Sequence, residues 1–339
     1  MKRGDVWFKG MPGNMFIEET EDPVPYIYEI EPTNACPYRC YMCPRGRGNM
    51  KRPVGFMPLS IFESIIKEIP AHQRMLRLHH FGEPVLHPEL PLFIRLTRSA
   101  GLIPTLSLNP SSLDKALIER MVDSGIGIVC FSLDSLNSER LKKIRGINKP
   151  VEYCLEMIDY FIKKSRLSSQ PVFKIIQMVS LEINRDEQVA FLSLKERYPE
   201  DDVYVYISGN YGFGDIELIR ETDHEAVKGI LSSPAVCAAP FDDVVILWNG
   251  DVVLCCYDYD GFNVIGNIAD TSLIEIWRAD RVQEIRKLFC TSQTQSLRLC
   301  NNCYLAPHKH PSANGGRLRR GISEEEYILG LYPPLLNDL

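Results

Sequence analysis

The chain has 339 residues, of which 45% are hydrophobic and 24% are charged, a composition that excludes a disordered or fibrous protein. The formal net charge of −6 at pH 7 argues against nucleic acid as a partner. No apolar run is long enough to cross a membrane and no signal-peptide core follows Met1, so the sequence predicts a cytoplasmic protein without a membrane partner.

β-branched and aromatic runs alternate with segments of helical periodicity over the first two-thirds of the chain. Because parallel strands need crossover connections, six strands that alternate with helices predict an α/β protein with a parallel sheet, open or closed into a barrel. In such folds the functional residues collect on the loops that leave the carboxyl ends of the strands. The predicted strands are Tyr26–Ile30, Leu76–Phe81, Ile103–Leu108, Gly127–Leu133, Val172–Val179 and Val203–Ile207. The predicted helices are Leu59–Ile69, Glu89–Ala100, Ser112–Val122, Val151–Lys164 and Arg185–Arg197.

The pattern changes after residue 232. Two apolar runs, Val244–Trp248 and Val252–Leu254, flank an Asn-Gly pair, which predicts a β-hairpin. A helix is predicted over Leu273–Leu288, before a polar stretch that ends in two cysteines. The predicted organisation is an extension at 1–25, the α/β domain at 26–232, a small C-terminal domain at 233–310 and an irregular tail at 311–339.

Cysteine is the most informative residue type, because the chain has 11 and a cytoplasm disfavours structural disulfides. Cys36, Cys40 and Cys43 form a C-x3-C-x2-C pattern in the loop after the first predicted strand. Three thiolates on one short loop suit a four-iron cluster, in which the fourth iron stays open for a reactant. The alternatives are buried free thiols and a zinc knuckle, which lacks a fourth Cys or His nearby.

This loop resembles the signature of the radical S-adenosylmethionine (SAM) superfamily, in which the three cysteines follow the first strand of a partial (β/α)6 barrel. The resemblance implies a 4Fe–4S cluster whose open iron binds the amino and carboxylate groups of SAM. It also implies reductive cleavage of SAM to a 5′-deoxyadenosyl radical, with an external electron donor of the flavodoxin or ferredoxin type.

Other positions match SAM-binding elements of the same family in the expected order. Phe81-Gly82-Glu83-Pro84 resembles its Gly-Gly-Glu-Pro element, although Phe81 departs from the usual first glycine. The resemblance implies that the glycine permits close backbone approach, that acceptors of this element hold the SAM ammonium, and that a serine and an arginine hold the carboxylate. The residues assigned to SAM by resemblance are Met42, near the adenine, Gly82, Glu83, Pro84, Asn109, Ser132 and Arg145.

A second cysteine set lies in the C-terminal part: Cys237, Cys255, Cys300 and Cys303. Four thiolates suffice to close a four-iron cluster, and a turn at Gly250 would return Cys255 towards Cys237. The pattern resembles the SPASM/Twitch extension of radical SAM enzymes and implies an auxiliary 4Fe–4S cluster. No cysteine follows Cys303, which fits the one-cluster Twitch form. The alternative is a structural zinc site, because four thiolates with a terminal C-x2-C also suit zinc.

Cys256 directly follows a predicted ligand and has three interpretations. It replaces Cys255 as the ligand, it is structural, or it donates a hydrogen atom to a substrate radical. Three histidines, His79, His80 and His87, flank the Gly-Glu-Pro turn, and one of them is expected in the active-site cleft. The basic run Arg317–Arg320 is either a solvated tail or a clamp for an anionic substrate.

One-cluster Twitch members include the aminocyclitol and sugar-alcohol dehydrogenases of antibiotic pathways, which this chain resembles. The predicted function is therefore radical oxidation of a small-molecule alcohol, with the auxiliary cluster as the electron acceptor. One alternative is a redox-neutral epimerase in which Cys256 returns the hydrogen atom. The other is a peptide- or protein-modifying maturase, a class that often carries a peptide-docking domain for which 25 N-terminal residues are too few.

Overall fold

The computed structural model describes residues 24–71, 73–199, 202–225, 227, 237 and 239–309. Most of the predicted N-terminal extension, at 1–23, lies outside the described residues. The predicted tail at 311–339, with Arg317–Arg320, also lies outside them.

Six parallel strands follow one another in the sheet order β6-β5-β4-β3-β2-β1. The predicted α/β fold with a parallel sheet is therefore confirmed. The strands are β1 (Tyr26–Ile30), β2 (Met75–Arg77), β3 (Ile103–Leu108), β4 (Ile128–Ser132), β5 (Phe173–Val179) and β6 (Val203–Ser208).

Strand β2 is shorter than the predicted Leu76–Phe81. Leu78 still donates a backbone hydrogen bond to Thr105 of β3, at 2.8 Å. Beyond it the chain turns towards Pro84, which begins a short 3-10 helix that replaces further strand pairing. The turn frees the two histidines that follow Leu78 to make side-chain contacts above the strand ends.

The helices connecting the strands cover one face of the sheet. Leu76, Leu106 and Phe131 point to that face and belong to one large apolar core with the buried helix residues. The helices are α1 (Leu59–Lys67), α2 (Leu90–Ser99), α3 (Lys115–Asp123), α4 (Ser138–Arg145), α5 (Val151–Ser165), α6 (Gln188–Leu192), α7 (Leu194–Arg197) and α8 (Ile216–Thr222).

The predicted continuous helix Arg185–Arg197 is wrong. The segment contains part of a 3-10 helix, Glu182–Glu187, followed by α6 and α7. The Asn184 amide donates to the carbonyl oxygens of Asp134 and Val179 and so fixes a loop before the first turn. The Ser193 hydroxyl donates to the carbonyl of Val189, a side-chain interaction that competes with regular helix at the α6–α7 junction.

The C-terminal part continues the same sheet. The predicted hairpin is confirmed: β7 pairs antiparallel with β8, and Gly250 has a φ of +87° in the turn. β7 also pairs in parallel with β1, so nine strands of the described residues form one sheet. This part comprises α9 (Ala239–Asp242), β7 (Asp243–Ile246), β8 (Asp251–Val253), β9 (Val264–Asn267), α10 (Leu273–Arg278) and α11 (Asp280–Cys290).

Two features of this part differ from the sequence prediction. Strand β9 was not predicted, and the predicted helix Leu273–Leu288 is two helices that break at Ala279, whose backbone is extended. The break allows both helices to bury apolar side chains and places the Arg286 guanidinium 4.2 Å from the centre of the Trp277 ring.

The face of the sheet turned away from the helices is called the inner face. At the amino ends of the strands it is apolar, because Met75, Ile103, Ile128 and Phe173 form a separate buried cluster. Towards the carboxyl ends it becomes polar, and Cys130 there donates its thiol hydrogen to the side-chain oxygen of Gln177, at 3.0 Å. The polar end is the side on which both cysteine groups lie.

No helix of the described residues is long and apolar enough to cross a membrane.

Candidate active site

The loop after β1 carries the three cysteines of the first group and is held against the end of α4. The backbone N–H of Arg39 donates to Arg145, and that of Cys43 donates to Cys40, at 3.0 and 3.1 Å. Gly46 closes the loop, since a Cβ there would lie 2.3 Å from the carbonyl oxygen of Cys40. The loop conformation therefore depends on glycine and on backbone contacts with α4.

The three thiols of this loop lie close enough to affect one another. Burial raises the pKa of Cys36 to about 12, and the neighbouring Glu83, Cys40 and Cys43 add to the increase. Burial raises the pKa of Cys40 to about 11, even though the Arg145 guanidinium opposes it. Because metal ligation requires thiolates, iron would displace the protons from these thiols.

Two buried polar atoms beside this loop lack protein partners. Glu83 donates its backbone N–H to Ala35 of the cysteine loop, at 2.8 Å, and its Oε2 accepts the backbone N–H of Asn109, at 3.1 Å. Its Oε1 and the Nδ2 of Asn109 are buried without a hydrogen-bond partner among the described residues. Burial raises the pKa of Glu83 to about 8. An unpaired acceptor and an unpaired donor suit a ligand that carries an ammonium group and further polar atoms, which SAM does.

The rest of the Gly-Glu-Pro element fits tightly against the cysteine loop. A Cβ on Gly82 would lie 1.9 Å from the carbonyl oxygen of Thr33, so the backbones approach as only glycine permits. Pro84 is buried at the start of the 3-10 helix. Met42 is buried with Cys40 and Leu181 in a small apolar cluster. These three predicted SAM residues lie around the same loop.

Ser132 and Arg145 lie on the other side of the loop. Ser132 ends β4, and Arg145 ends α4. The guanidinium of Arg145 forms an ion pair with buried Asp134 through Nε, and its Nη1 lies 3.7 Å from Sγ of Cys40. Asp134 also accepts the backbone N–H of Val179, at 2.8 Å. Asp134 therefore holds the Arg145 guanidinium in place and is itself held by the backbone of Val179.

The second cysteine group is assembled from three separate segments. Cys237 donates its backbone N–H to Leu305, two residues after Cys303, at 3.0 Å. Burial and the nearby Cys255, Cys303 and Cys300 raise the pKa of Cys237 well above its ordinary value. Gly214, with a φ of +83°, packs against this group, and a Cβ there would lie 2.8 Å from Sγ of Cys303. Within the described parts of the chain, no three Cys, His, Asp or Glu side chains converge on a single metal ion. In a four-iron cluster each thiolate binds a different iron, so such convergence is not required.

The two adjacent cysteines of this group have different surroundings. A hydrogen bond with Cys256 and burial raise the pKa of Cys255, which also accepts the backbone N–H of Tyr257. Cys256 instead packs against the cluster of Val245, Leu247 and Val253, on the inner face of the sheet, and Tyr28 packs against the same cluster. Cys256 is therefore not buried among the helices of the C-terminal part.

The inner face also holds a carboxylate that the sequence pattern did not indicate as a site residue. Glu29 of β1 accepts a hydrogen bond from Nδ1 of His80, at 2.8 Å, and lies 3.8 Å from Nε2 of His79. The Arg77 guanidinium lies beside it, 4.4 Å from the centre of the Tyr28 ring. Burial raises the pKa of Glu29, but the hydrogen bond and charge of His80 and the charges of His79 and Arg77 outweigh it, so the pKa is lowered. The available signal was a single charged residue within a short strand of aromatic and aliphatic residues.

The third histidine has a structural place. His87 donates from Nε2 to the carbonyl oxygen of Met57, at 3.0 Å, and accepts at Nδ1 the backbone N–H of Glu89, at 3.1 Å. Both ring nitrogens are thereby used in holding the turn after the Gly-Glu-Pro element. Of the three histidines, His79 and His80 lie at the inner face.

Comparison with known proteins agrees with this arrangement. The radical SAM superfamily model matches residues 30–192, and the model of the SPASM iron–sulfur cluster-binding domain matches residues 237–304. The S-adenosyl-L-methionine-dependent 2-deoxy-scyllo-inosamine dehydrogenase of Niallia circulans is 21% identical over 281 residues, which are 82% of this chain and 92% of that protein.

Solved structures show the same fold. BtrN in complex with AdoMet and 2-DOIA aligns with a TM-score of 0.51 at 18% identity, over 82% of this chain and 92% of BtrN. SuiB of Streptococcus suis, bound to the precursor peptide SuiA, aligns with a TM-score of 0.59 at 14% identity, over 84% of this chain and 71% of SuiB. The chain therefore contains a radical SAM domain and a SPASM iron–sulfur cluster-binding domain. Its cofactors are SAM and 4Fe–4S clusters, including an auxiliary cluster, as predicted.

Proposed function

We propose that this radical SAM enzyme oxidises an alcohol of a small molecule, such as an aminocyclitol or a sugar, to a carbonyl. The dehydrogenase from Niallia circulans, which is named for 2-deoxy-scyllo-inosamine, supports this reaction and substrate class. The observation that carries the proposal is the group of four cysteines, which backbone contacts bring together beside the β7–β8 hairpin of the sheet. Four thiolates leave no iron open to a reactant, so the chemistry that such a cluster adds is electron exchange.

When bound, the cofactors supply a 5′-deoxyadenosyl radical that removes a hydrogen atom and a one-electron acceptor for the oxidation. In this proposal Cys36, Cys40 and Cys43 hold the SAM-binding cluster, and the four thiols around Cys237 hold the auxiliary cluster. Glu83 and Asn109, with their unpaired buried atoms, hold the ammonium and a neighbouring polar group of SAM.

The remaining assigned residues orient SAM. Arg145, fixed by Asp134, offers its guanidinium to the SAM carboxylate together with Ser132. Met42 contacts the adenine, and Gly82 with Pro84 shapes the backbone at the ammonium. We keep 26–232 and 233–310 as the two domains, even though β7 joins their strands in one sheet.

An external one-electron donor of the flavodoxin or ferredoxin type completes the proposal. Arg39 of the cysteine loop is exposed, and Lys142 and Lys143 are exposed on the last turn of adjacent α4. These cations lie beside the thiols of the first group, since Arg39 neighbours Cys40 and contacts Arg145. A basic surface at this place favours docking of an acidic electron carrier.

Epimerisation is the second candidate function, and one observation favours it. The Cys256 side chain packs against the Val245 cluster on the inner face, where a thiol hydrogen could be returned to a substrate radical. We place it second because a redox-neutral epimerisation needs neither an electron acceptor nor a base for the hydroxyl proton.

Turnover in D2O separates the two functions. The test uses 2-deoxy-scyllo-inosamine as the probe, with wild-type enzyme and Cys256→Ala. Oxidation gives a carbonyl product in both proteins, without solvent deuterium on the reacting carbon. One solvent deuterium on an inverted carbon in the wild type, lost in the variant while SAM cleavage continues, would establish epimerisation instead.

A further inference from the structure

We propose that Nε2 of His80 takes the hydroxyl proton of the alcohol substrate and that Glu29 positions this imidazole. The inference rests on the proposed oxidation and names the base that the reaction requires. Three observations carry it: the hydrogen bond between the two residues, the unpaired buried nitrogen of the imidazole, and its place at the carboxyl end of β2.

The contacts of Glu29 determine which nitrogen of His80 carries the hydrogen. The carboxylate accepts, so Nδ1 of His80 is the donor in their 2.8 Å hydrogen bond. The neutral imidazole then has its lone pair on Nε2. His79 helps to hold the carboxylate: its Nδ1 accepts the backbone N–H of Ser107, at 3.1 Å, so its hydrogen is on Nε2, which lies 3.8 Å from Glu29.

The Nε2 atom of His80 is buried and has no hydrogen-bond partner among the described residues. A buried lone pair without a donor is costly, and a substrate hydroxyl would satisfy it. The Phe81 ring packs edge-on against the imidazole, with centroids 4.5 Å apart, and shields it from water. Gly82 and Glu83, the SAM-binding element, follow directly in the chain, which brings this nitrogen to the same end of the sheet as the proposed radical.

The other ionisable groups around His80 are already engaged. Asp258, whose pKa burial raises, interacts electrostatically with His80, but its two oxygens accept the backbone N–H groups of Phe262 and Asn263. Arg77, at the end of β2, and His79, in the turn after it, face Glu29. The arrangement of carboxylate, imidazole and free Nε2 is the one by which a general base is oriented in enzymes.

The oxidation balances with His80 as the proton acceptor. The alcohol loses a hydrogen atom from carbon, a proton from oxygen and one electron, and its C–O single bond becomes a double bond. The hydrogen atom ends in 5′-deoxyadenosine, the proton on Nε2 of His80, and the electron on an iron–sulfur cluster. Loss of the hydroxyl proton makes the carbon radical more strongly reducing and thereby promotes transfer of its electron.

The test compares His80→Asn with His87→Gln in the reduced holoenzyme, with ring-deuterated 2-deoxy-scyllo-inosamine as the probe. Asparagine keeps an N–H in the position of Nδ1 for Glu29 but has no atom at Nε2. Glutamine at His87 likewise keeps an N–H for Met57 and serves as the matched control. Iron content and thermal unfolding establish that each variant is folded and loaded.

We expect His80→Asn to transfer deuterium into 5′-deoxyadenosine but to form carbonyl product about 100-fold more slowly or worse. We also expect its product formation to lose the acidic limb of the wild-type pH profile. Glu29→Gln should slow product formation while deuterium transfer continues, since the imidazole loses the carboxylate that accepts from Nδ1 and orients Nε2. His87→Gln should resemble the wild type in both readouts.

Three results would overturn the inference. The first is a loaded His80→Asn enzyme that oxidises within about threefold of wild type with the same pH profile. The second is a parallel loss of deuterium transfer and product, which would mean that His80 binds the substrate or SAM. In the third, the wild type transfers no deuterium, which contradicts the proposed oxidation itself and removes the need for a base.

Discussion

The two cysteine groups differ in how they are built and in what surrounds them. The first lies within one loop after β1 and has two unpaired buried polar atoms beside it, on Glu83 and Asn109. The second is collected from three segments, and each of its thiols has other thiols of the group as neighbours. An incomplete ligand set next to unpaired polar atoms indicates a site that binds a reactant. A complete ligand set indicates an electron-transfer cluster or a structural metal site.

The largest expected effect comes from breaking the first group. Cys36→Ala should abolish SAM cleavage, because three thiolates are the minimum that holds the open cluster. The measurement is 5′-deoxyadenosine formed under anaerobic reduction. Cys290→Ala, at the end of α11 and outside both groups, is the control and should cleave SAM as the wild type does. Cleavage at the wild-type rate by Cys36→Ala would remove this loop from the mechanism.

Breaking the second group should separate cleavage from oxidation. The wild type should hold about eight irons, four per cluster, and Cys303→Ala about half of them. The variant should still cleave SAM but form no carbonyl product. Iron, zinc and product are measured on the same preparation. Half the iron with one equivalent of zinc in the wild type would show that the second group is a zinc site.

A smaller effect should follow from replacing the carboxyl group of Glu83, which carries the unpaired acceptor beside the first group. Glu83→Gln should weaken SAM binding by roughly 10- to 100-fold, the usual range for a hydrogen bond to a charged group. Exposed Glu89→Gln, in the turn that follows, is the control. Equilibrium dialysis with loaded protein gives both dissociation constants. Equal SAM affinity in the two variants would contradict the assignment of Glu83.

The smallest expected effect comes from substituting two glycines that share a left-handed backbone conformation. Gly101→Ala, at φ +79° with nothing near its Cβ, should cost only the strain of a left-handed residue, about 1 kcal/mol. Gly214→Ala, at φ +83°, should cost more and also lose auxiliary iron, because its Cβ would displace Cys303. Anaerobic unfolding and iron analysis measure both effects. Equal iron content in the two variants would mean that the second group tolerates the displacement.

The sequence predicted best what depends on neighbouring residues. The six strands and the three-cysteine loop are local patterns, and their order along the chain predicts the parallel sheet. The hairpin followed from its Asn-Gly pair for the same reason. The four cysteines of the second group lie in three segments that are far apart in the sequence. They could be assigned to one site only from the predicted turn at Gly250 and from the resemblance to a family.

What the sequence did not predict depends on pairing between distant segments. The parallel pairing of β7 with β1 includes an irregularity between Ile27 and Glu29, which affects where the side chains of β1 point. Glu29 was therefore missed as the partner of His80. The break at Ala279 was missed because both halves of the segment have helical periodicity and only tertiary packing separates them.

The difference between an open and a closed site is tested most directly by electron paramagnetic resonance of the reduced holoenzyme with and without SAM. SAM should change the signal of the wild type and of Cys303→Ala, in which the cluster of the first group remains. The signal left in Cys36→Ala comes from the second group and should not respond. A response to SAM in Cys36→Ala, or none in Cys303→Ala, would contradict the account.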